Sequence, residues 1–228
     1  MTVFGILSEA ARLYVRFFWR GFFLGVAIFL VLTIPAAIVD IQHDTTWTIA
    51  LASSLVTIFT SYGDFLLEGA LVVDARHHQE VGALPSLRSL VRQTRPYLFS
   101  LLGATLIYSV CIAVGLLLLV VPGLLVLVRW SVIVPVIIIE RRGMRDSFRR
   151  SNELVRGHGW TILWALLIIF LASALLETGF DNLLYPLPEF FASWLGHLFV
   201  SALTAPFAAH ALAVIYFRAV DSRHPRSS

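Results

Sequence analysis

The sequence predicts an all-α membrane protein: six transmembrane helices arranged as three hairpins, each preceded by a basic amphipathic helix on the cytoplasmic side. Three observations predict it. Hydrophobic residues make up 58% of the 228 residues and charged ones only 14%, with a mean hydropathy of +0.84, which leaves too little polar surface for a water-soluble domain. Six apolar segments reach, or nearly reach, the roughly 20 residues that a bilayer-spanning helix needs. All 17 basic residues are Arg, and 16 of them fall in the N-terminal segment, in 74–96, in 141–159 or at the C-terminal end.

The six segments are about 20–40, 48–72, 97–121, 124–140, 160–178 and 192–217. The first is longer than the apolar region of a cleavable signal peptide and reads as a retained signal anchor. The connections at 40–47, at Pro122-Gly123 and at 179–191 carry no Arg. Short Arg-rich loops are retained in the cytoplasm, so the expected topology is a multi-pass protein of the bacterial plasma membrane with both termini cytoplasmic. Trp19 and Trp160 then lie at the inner interface, and Trp47 and Trp194 near the outer one. Pro122-Gly123 is either a hairpin tip or a break within the membrane whose freed backbone groups the protein covers.

The basic stretches 8–21, 86–97 and 146–160 precede the three hairpins. In the first, Phe4, Leu7, Ala11, Val15 and Phe18 form one helical face, and Arg12, Arg16 and Arg20 another. Arg88 with Arg92, and Arg145 with Arg149, repeat the i,i+4 spacing. Helices of this kind lie at the inner headgroup layer, so Arg12, Arg16, Arg88, Arg92, Arg145 and Arg149 are expected to contact anionic lipid headgroups. The returning legs end alike, in Val73-Asp74-Ala75-Arg76, Ile139-Glu140-Arg141-Arg142 and Val220-Asp221-Ser222-Arg223. A single domain over 1–228 thus contains repeat-like units 1–76, 84–142 and 146–223.

The three acids set a depth scale. Asp64 lies ten residues before Asp74, Arg129 eleven before Glu140, and His210 eleven before Asp221. At about 1.5 Å per residue all three reach the middle of a hydrocarbon core about 30 Å thick, where charge is costly and must pair. The expectation is an intramembrane polar cluster of Asp64, Glu68, Arg129 and His210, with Arg129 bridging to Asp64 or to Glu68 one turn below. Such a cluster serves as an ion pair that fixes helix packing, as a transport or relay site, or as a metal or acid/base pair. The last lacks the further His or Asp partners it needs. His210 alone reads as a neutral, hydrogen-bonded core histidine.

No catalytic signature is present: no His-Glu-x-x-His, Cys-x-x-Cys, Gly-x-Ser-x-Gly or phosphate-binding glycine loop. His77-His78 sit in a cytoplasmic loop and read as solvated. The single cysteine, Cys111, excludes an internal disulfide and reads as a small buried hydrophobe. No catalytic residue, metal or cofactor is expected. The pI near 9.4 reflects arginines placed for topology and implies no nucleic-acid partner.

The stretch 115–160, with Pro122-Gly123, Arg129-Trp130, Pro135, Glu140, Arg150-Ser151 and Leu154-Val155-Arg156-Gly157 before Trp160, resembles the membrane domain found alone in many bacteria and fused to glycerophosphodiester phosphodiesterases in others. The resemblance implies a polytopic membrane domain working near lipids or their headgroups; no phosphodiesterase domain or metal-ligand set is implied for this chain. The expected function is therefore a non-enzymatic scaffold, interaction or lipid-associated protein, with room for a membrane-protein partner. The alternative is a small transporter or lipid-handling protein, which needs a cavity around Asp64, Glu68, Arg129 and His210, whereas a scaffold needs only a dry, packed core.

Overall fold

The computed structural model describes residues 1–41, 47–81 and 87–223, with the backbone alone for 75–81, 87, 88, 90 and 91. Among the described residues the fold is almost wholly helical and contains no strand. Five helical segments are long and apolar enough to cross a membrane, at 47–74, 92–118, 120–139, 159–184 and 189–223, and a bent pair at the N-terminus makes six.

Helix α1 (Val3–Arg16) starts where the Thr2 hydroxyl accepts the Gly5 N–H. It buries Ile6 and Ala10, not the face of Phe4, Leu7, Ala11, Val15 and Phe18 expected from the sequence: Phe4 and Val15 are 82% and 74% exposed, and Arg12 and Arg16 are exposed as expected. At Phe17 the chain bends by 83° into α2 (Phe18–Leu32). Thr33 ends α2, its hydroxyl donating to Phe29 O at 2.8 Å, and α3 (Ile34–Asp40) begins with Pro35 in its first turn, where the missing N–H costs nothing. Helix α4 (Trp47–Val81) follows, then α5 (Leu87–Thr94) and a 3₁₀ turn at Arg95–Tyr97.

Helix α6 (Leu98–Leu118) and α7 (Val120–Arg129) fold back on one another through Leu119 alone, whose φ of −163° and ψ of 139° are ordinary extended values. Glycine makes this closure possible. A Cβ on Gly115 would stand 2.8 Å from the Gly123 backbone, too close for any side chain. The turn therefore precedes Pro122-Gly123, which sits in the first turn of α7, neither a loop tip nor a break.

One loosened turn at 130–132 joins α7 to α8 (Ile133–Ile139), whose residues 133–138 are all buried among α4, α6, α9 and α11. The chain reverses at Arg141, with φ of 52°, into α9 (Met144–Val155). It reverses again at Gly157, whose φ of 92° favours glycine, into α10 (Gly159–Leu184). Helix α11 (Glu189–Arg223) is the central element and packs against α1, α2, α3, α4 and α10.

Five residues of the stretch 115–160, Arg129, Trp130, Glu140, Arg150 and Ser151, meet in one joint. Trp130 meets Phe148 edge-on at 4.6 Å, the Ser151 hydroxyl donates to Arg129 O at 3.0 Å, and Arg150 Nε lies 3.0 Å from Glu140 Oε1. Arg142 takes the other Glu140 oxygen at 2.6 Å. The three acids that end the returning legs are held differently. Asp74 is buried against Arg20 Nε at 2.9 Å, Glu140 is clasped by Arg142 and Arg150, and Asp221 is exposed with no ion pair among the described residues.

Of the arginines expected at the headgroups, Arg12, Arg16, Arg92, Arg145 and Arg149 are exposed, and Arg149 also lies 3.6 Å from Asp146 and 3.9 Å from Glu153 on its own helix. The side chains of Arg88, His77 and His78 lie outside the described residues.

Candidate functional site

Helix α4 carries a polar stripe. Ser53, Thr57, Thr60, Asp64 and Glu68 follow one another at spacings of four, three, four and four, which at about 100° per residue keeps them within about 80° of one face. That stripe runs down into a cavity of about 210 Å³ between α4, α6, α7, α10 and α11, lined by Asp64, Glu68, Tyr108, Ser131, Ser173 and Thr204 among otherwise mainly apolar side chains.

Asp64 is open to this space. Glu68 is only 5% exposed, and its Oε1 is buried without a hydrogen-bond partner. Neither acid has an ion pair among the described residues. Three hydroxyl protons around them are committed: Ser131 donates to Val128 O at 2.9 Å, Ser173 to Ile169 O at 3.0 Å and Thr204 to Val200 O at 2.8 Å. A hydroxyl bonded to a carbonyl must be the donor, so each of these offers the cavity only oxygen lone pairs. The Tyr108 hydroxyl and the Trp130 indole N–H, which line the cavity as well, are its donors.

The expected four-residue cluster is not assembled. Leu127, Trp130 and Ser131 share the face that lines the cavity, whereas Arg129 falls off that face, is exposed, and makes no ion pair with Asp64 or Glu68. Val128 packs at the N-terminal end of α10, 3.7 Å from where a Gly159 Cβ would be, and Arg129 O accepts from Ser151 on α9, so Arg129 stands near that end of α10. His210 is buried at 3% exposure, 6.3 Å from the Phe17 ring centroid, with no hydrogen bond to Nδ1, and does not line the cavity. Tyr108, Ser131, Ser173 and Thr204 were not anticipated. The α4 stripe was legible as a helical repeat of hydroxyls, but the other residues meet it only through tertiary packing.

A second polar site lies where α3, α10 and α11 meet. Asp40 Oδ2 accepts the Ser193 hydroxyl at 2.6 Å and lies 2.6 Å from His197 Nε2, while His197 Nδ1 lies 3.6 Å from Glu177 Oε1. Around them is a cavity of about 660 Å³ that Asp181 and Glu189 also line. Asp40 and His197 are shared with a further cavity of about 230 Å³, lined by Thr33, Ser53, Thr57, Thr60 and Ser201. Among the described residues no group of three or more His, Cys, Asp or Glu side chains is arranged to hold a metal ion.

A family model matches residues 94–220, more than half of the chain. The chain belongs to the family described as a domain of unknown function (DUF7847). No match was found among curated proteins or among solved structures. The part matching DUF7847 contains Tyr108, Ser131, Ser173 and Thr204, while Asp64 and Glu68 come from α4, outside it.

Proposed function

We propose that this protein is a non-enzymatic transporter or lipid-handling protein of the bacterial plasma membrane, which takes a small ligand into the cavity at Asp64 and Glu68. The observation that carries the reading is Glu68: a carboxyl group buried at a cavity wall with an unpartnered oxygen. A packing device would bury its polar groups in mutual bonds, because an unsatisfied group in an apolar interior is costly. A scaffold has no use for such a space.

Cysteine chemistry tests this in nanodiscs. In a Cys111→Ser background, Ser173→Cys should react with the uncharged reagent methyl methanethiosulfonate, whereas Ala165→Cys, fully buried on the same helix, should stay inert. If the two are equally inert, no ligand enters and the scaffold reading returns.

The same reading includes six spans in three hairpins, with α2 and α3 together forming the first. The Arg distribution supports both termini, 74–96 and 141–159 as cytoplasmic. Reporter fusions at Gln79 and at the C-terminus should then give cytoplasmic signals and one near Asp181 should not. A periplasmic C-terminus overturns the topology.

Arginines exposed on α1, α5 and α9 support contact with the anionic inner leaflet, each such charge contributing about 1 kcal/mol near the surface. Replacing Arg12, Arg16, Arg145 and Arg149 by Gln should reduce retention of anionic lipid in native mass spectrometry. Unchanged retention would leave these arginines a role in topology alone.

A further inference from the structure

We propose that the three cavities form one route, leading from the acidic end at Asp40 and His197 through the hydroxyl-lined space to Asp64 and Glu68, and that its ligand is a small organic cation bearing an ammonium group. The inference rests on the reading that the Glu68 cavity admits a ligand, and adds the ligand's class and its path.

The cavities are stacked along the same two helix faces. On α4, Ser53, Thr57 and Thr60 line the middle cavity and Asp64 and Glu68, on the next turns of the same stripe, line the inner one. On α11, His197 and Ser201 line the middle cavity, and Thr204 and Ala208, at spacings of four, three and four along that face, line the inner one. The wide cavity joins the middle one at Asp40 and His197, which border both.

Charge along the route points to a cation. Its acids are Asp40, Glu177, Asp181, Glu189, Asp64 and Glu68; no Arg lines any of the three cavities. Of the five hydroxyls that line the middle cavity, four besides Ser201 are spent on backbone carbonyls, as three are in the inner one. Thr33 donates to Phe29 O at 2.8 Å, Ser53 to Ile49 O at 2.9 Å, Thr57 to Ser53 O at 2.9 Å and Thr60 to Val56 O at 3.1 Å. Oxygen lone pairs beside carboxylates attract a donor-rich cation and repel an anion. An ionised Glu68 needs a counter-charge that no described side chain supplies, so the charge arrives with the ligand. The carboxyls are too few and too scattered to enclose a bare divalent ion.

Thiol reagents of equal reach and different charge test both parts. With Thr204→Cys in the Cys111→Ser background, the trimethylammonium-ethyl methanethiosulfonate should react at least roughly tenfold faster than the sulfonato-ethyl reagent, after correction for their rates with a free thiol. Asp64→Asn with Glu68→Gln should bring the ratio towards one, while Glu68→Asp should keep it. Ser201→Phe, plugging the middle cavity, should slow the cationic reagent at Thr204→Cys.

Equal or faster reaction with the sulfonate overturns the cation assignment, and does so without touching the cavity reading as long as methyl methanethiosulfonate still reacts. An unchanged cationic rate in Ser201→Phe overturns the route. The charge ratio in the Thr204→Cys protein needs no acid variant to fold, so it decides the ligand class by itself.

Discussion

Replacing Arg20 by Leu should destabilise the protein by up to about 3–5 kcal/mol, because it removes the guanidinium 2.9 Å from Asp74, whose side chain is only 5% exposed. The double change Arg20→Leu with Asp74→Leu should recover much of that loss, since both charges then leave together and two apolar side chains fill the space. Thermal unfolding in nanodiscs and reversible unfolding in mixed micelles give the two numbers. If the double change costs the sum of the single ones, the two groups are not coupled, and Arg20 acts through another neighbour. The pair ties the elbow between α1 and α2 to the C-terminal part of α4. Its loss should also loosen α1, read as faster hydrogen exchange over residues 3–16.

That pair illustrates what the sequence carried and what it did not. Arg20 stood out as the last arginine of the first basic helix, and Asp74 as the first of the three acids at the helix exits. Each was assigned to an interface, where water and headgroups would satisfy it. Nothing in a linear pattern says that the two meet, because that depends on how α2 and α4 pack.

The span positions were legible for a plain physical reason: lipid demands long apolar runs. Segments 97–121 and 160–178 correspond to α6 (Leu98–Leu118) and α10 (Gly159–Leu184). Helix ends were less legible, since α4 and α11 continue as helices beyond their apolar parts, where charged residues no longer mark a boundary.

Residue counts along a leg translate into depth only where the leg is straight. A common depth for Asp64, Arg129 and His210 requires Asp74, Glu140 and Asp221 to leave the membrane at one level along straight legs. On α4, Asp64 and Glu68 do share one cavity, as expected of residues one turn apart on the same face. The leg of α7 and α8 is not straight: it loosens at 130–132, and α9 folds back so that Arg150 clasps Glu140. Arg129 is exposed and off the cavity face, so the expected bridge to Asp64 does not form.

Gly25→Leu should cost at least as much as a buried over-packing change, about 1–3 kcal/mol, and in a helix pair this tight it should prevent stable folding. On α2, Gly21 and Gly25 are four residues apart, the spacing of small residues that lets membrane helices approach closely. A Cβ on Gly25 would lie 3.0 Å from Ala202 Cα, and one on Gly21 would lie 3.0 Å from Pro206 Cβ. The obstacle at Gly25 is backbone, so no side-chain rotation relieves it, and α2 must move away from α11. Moving α2 would disturb Phe29, which is buried beside Leu67 and Leu198, and so the α4 stripe next to it. Gly179→Leu on α10 is the control, because nothing lies within 4 Å of that position and the change should shift stability by no more than about 0.5 kcal/mol. Expression with monodisperse purification, then the unfolding midpoint in nanodiscs, measures the difference. A Gly25→Leu protein as stable as the Gly179→Leu protein would mean that α2 does not pack on α11 at this distance.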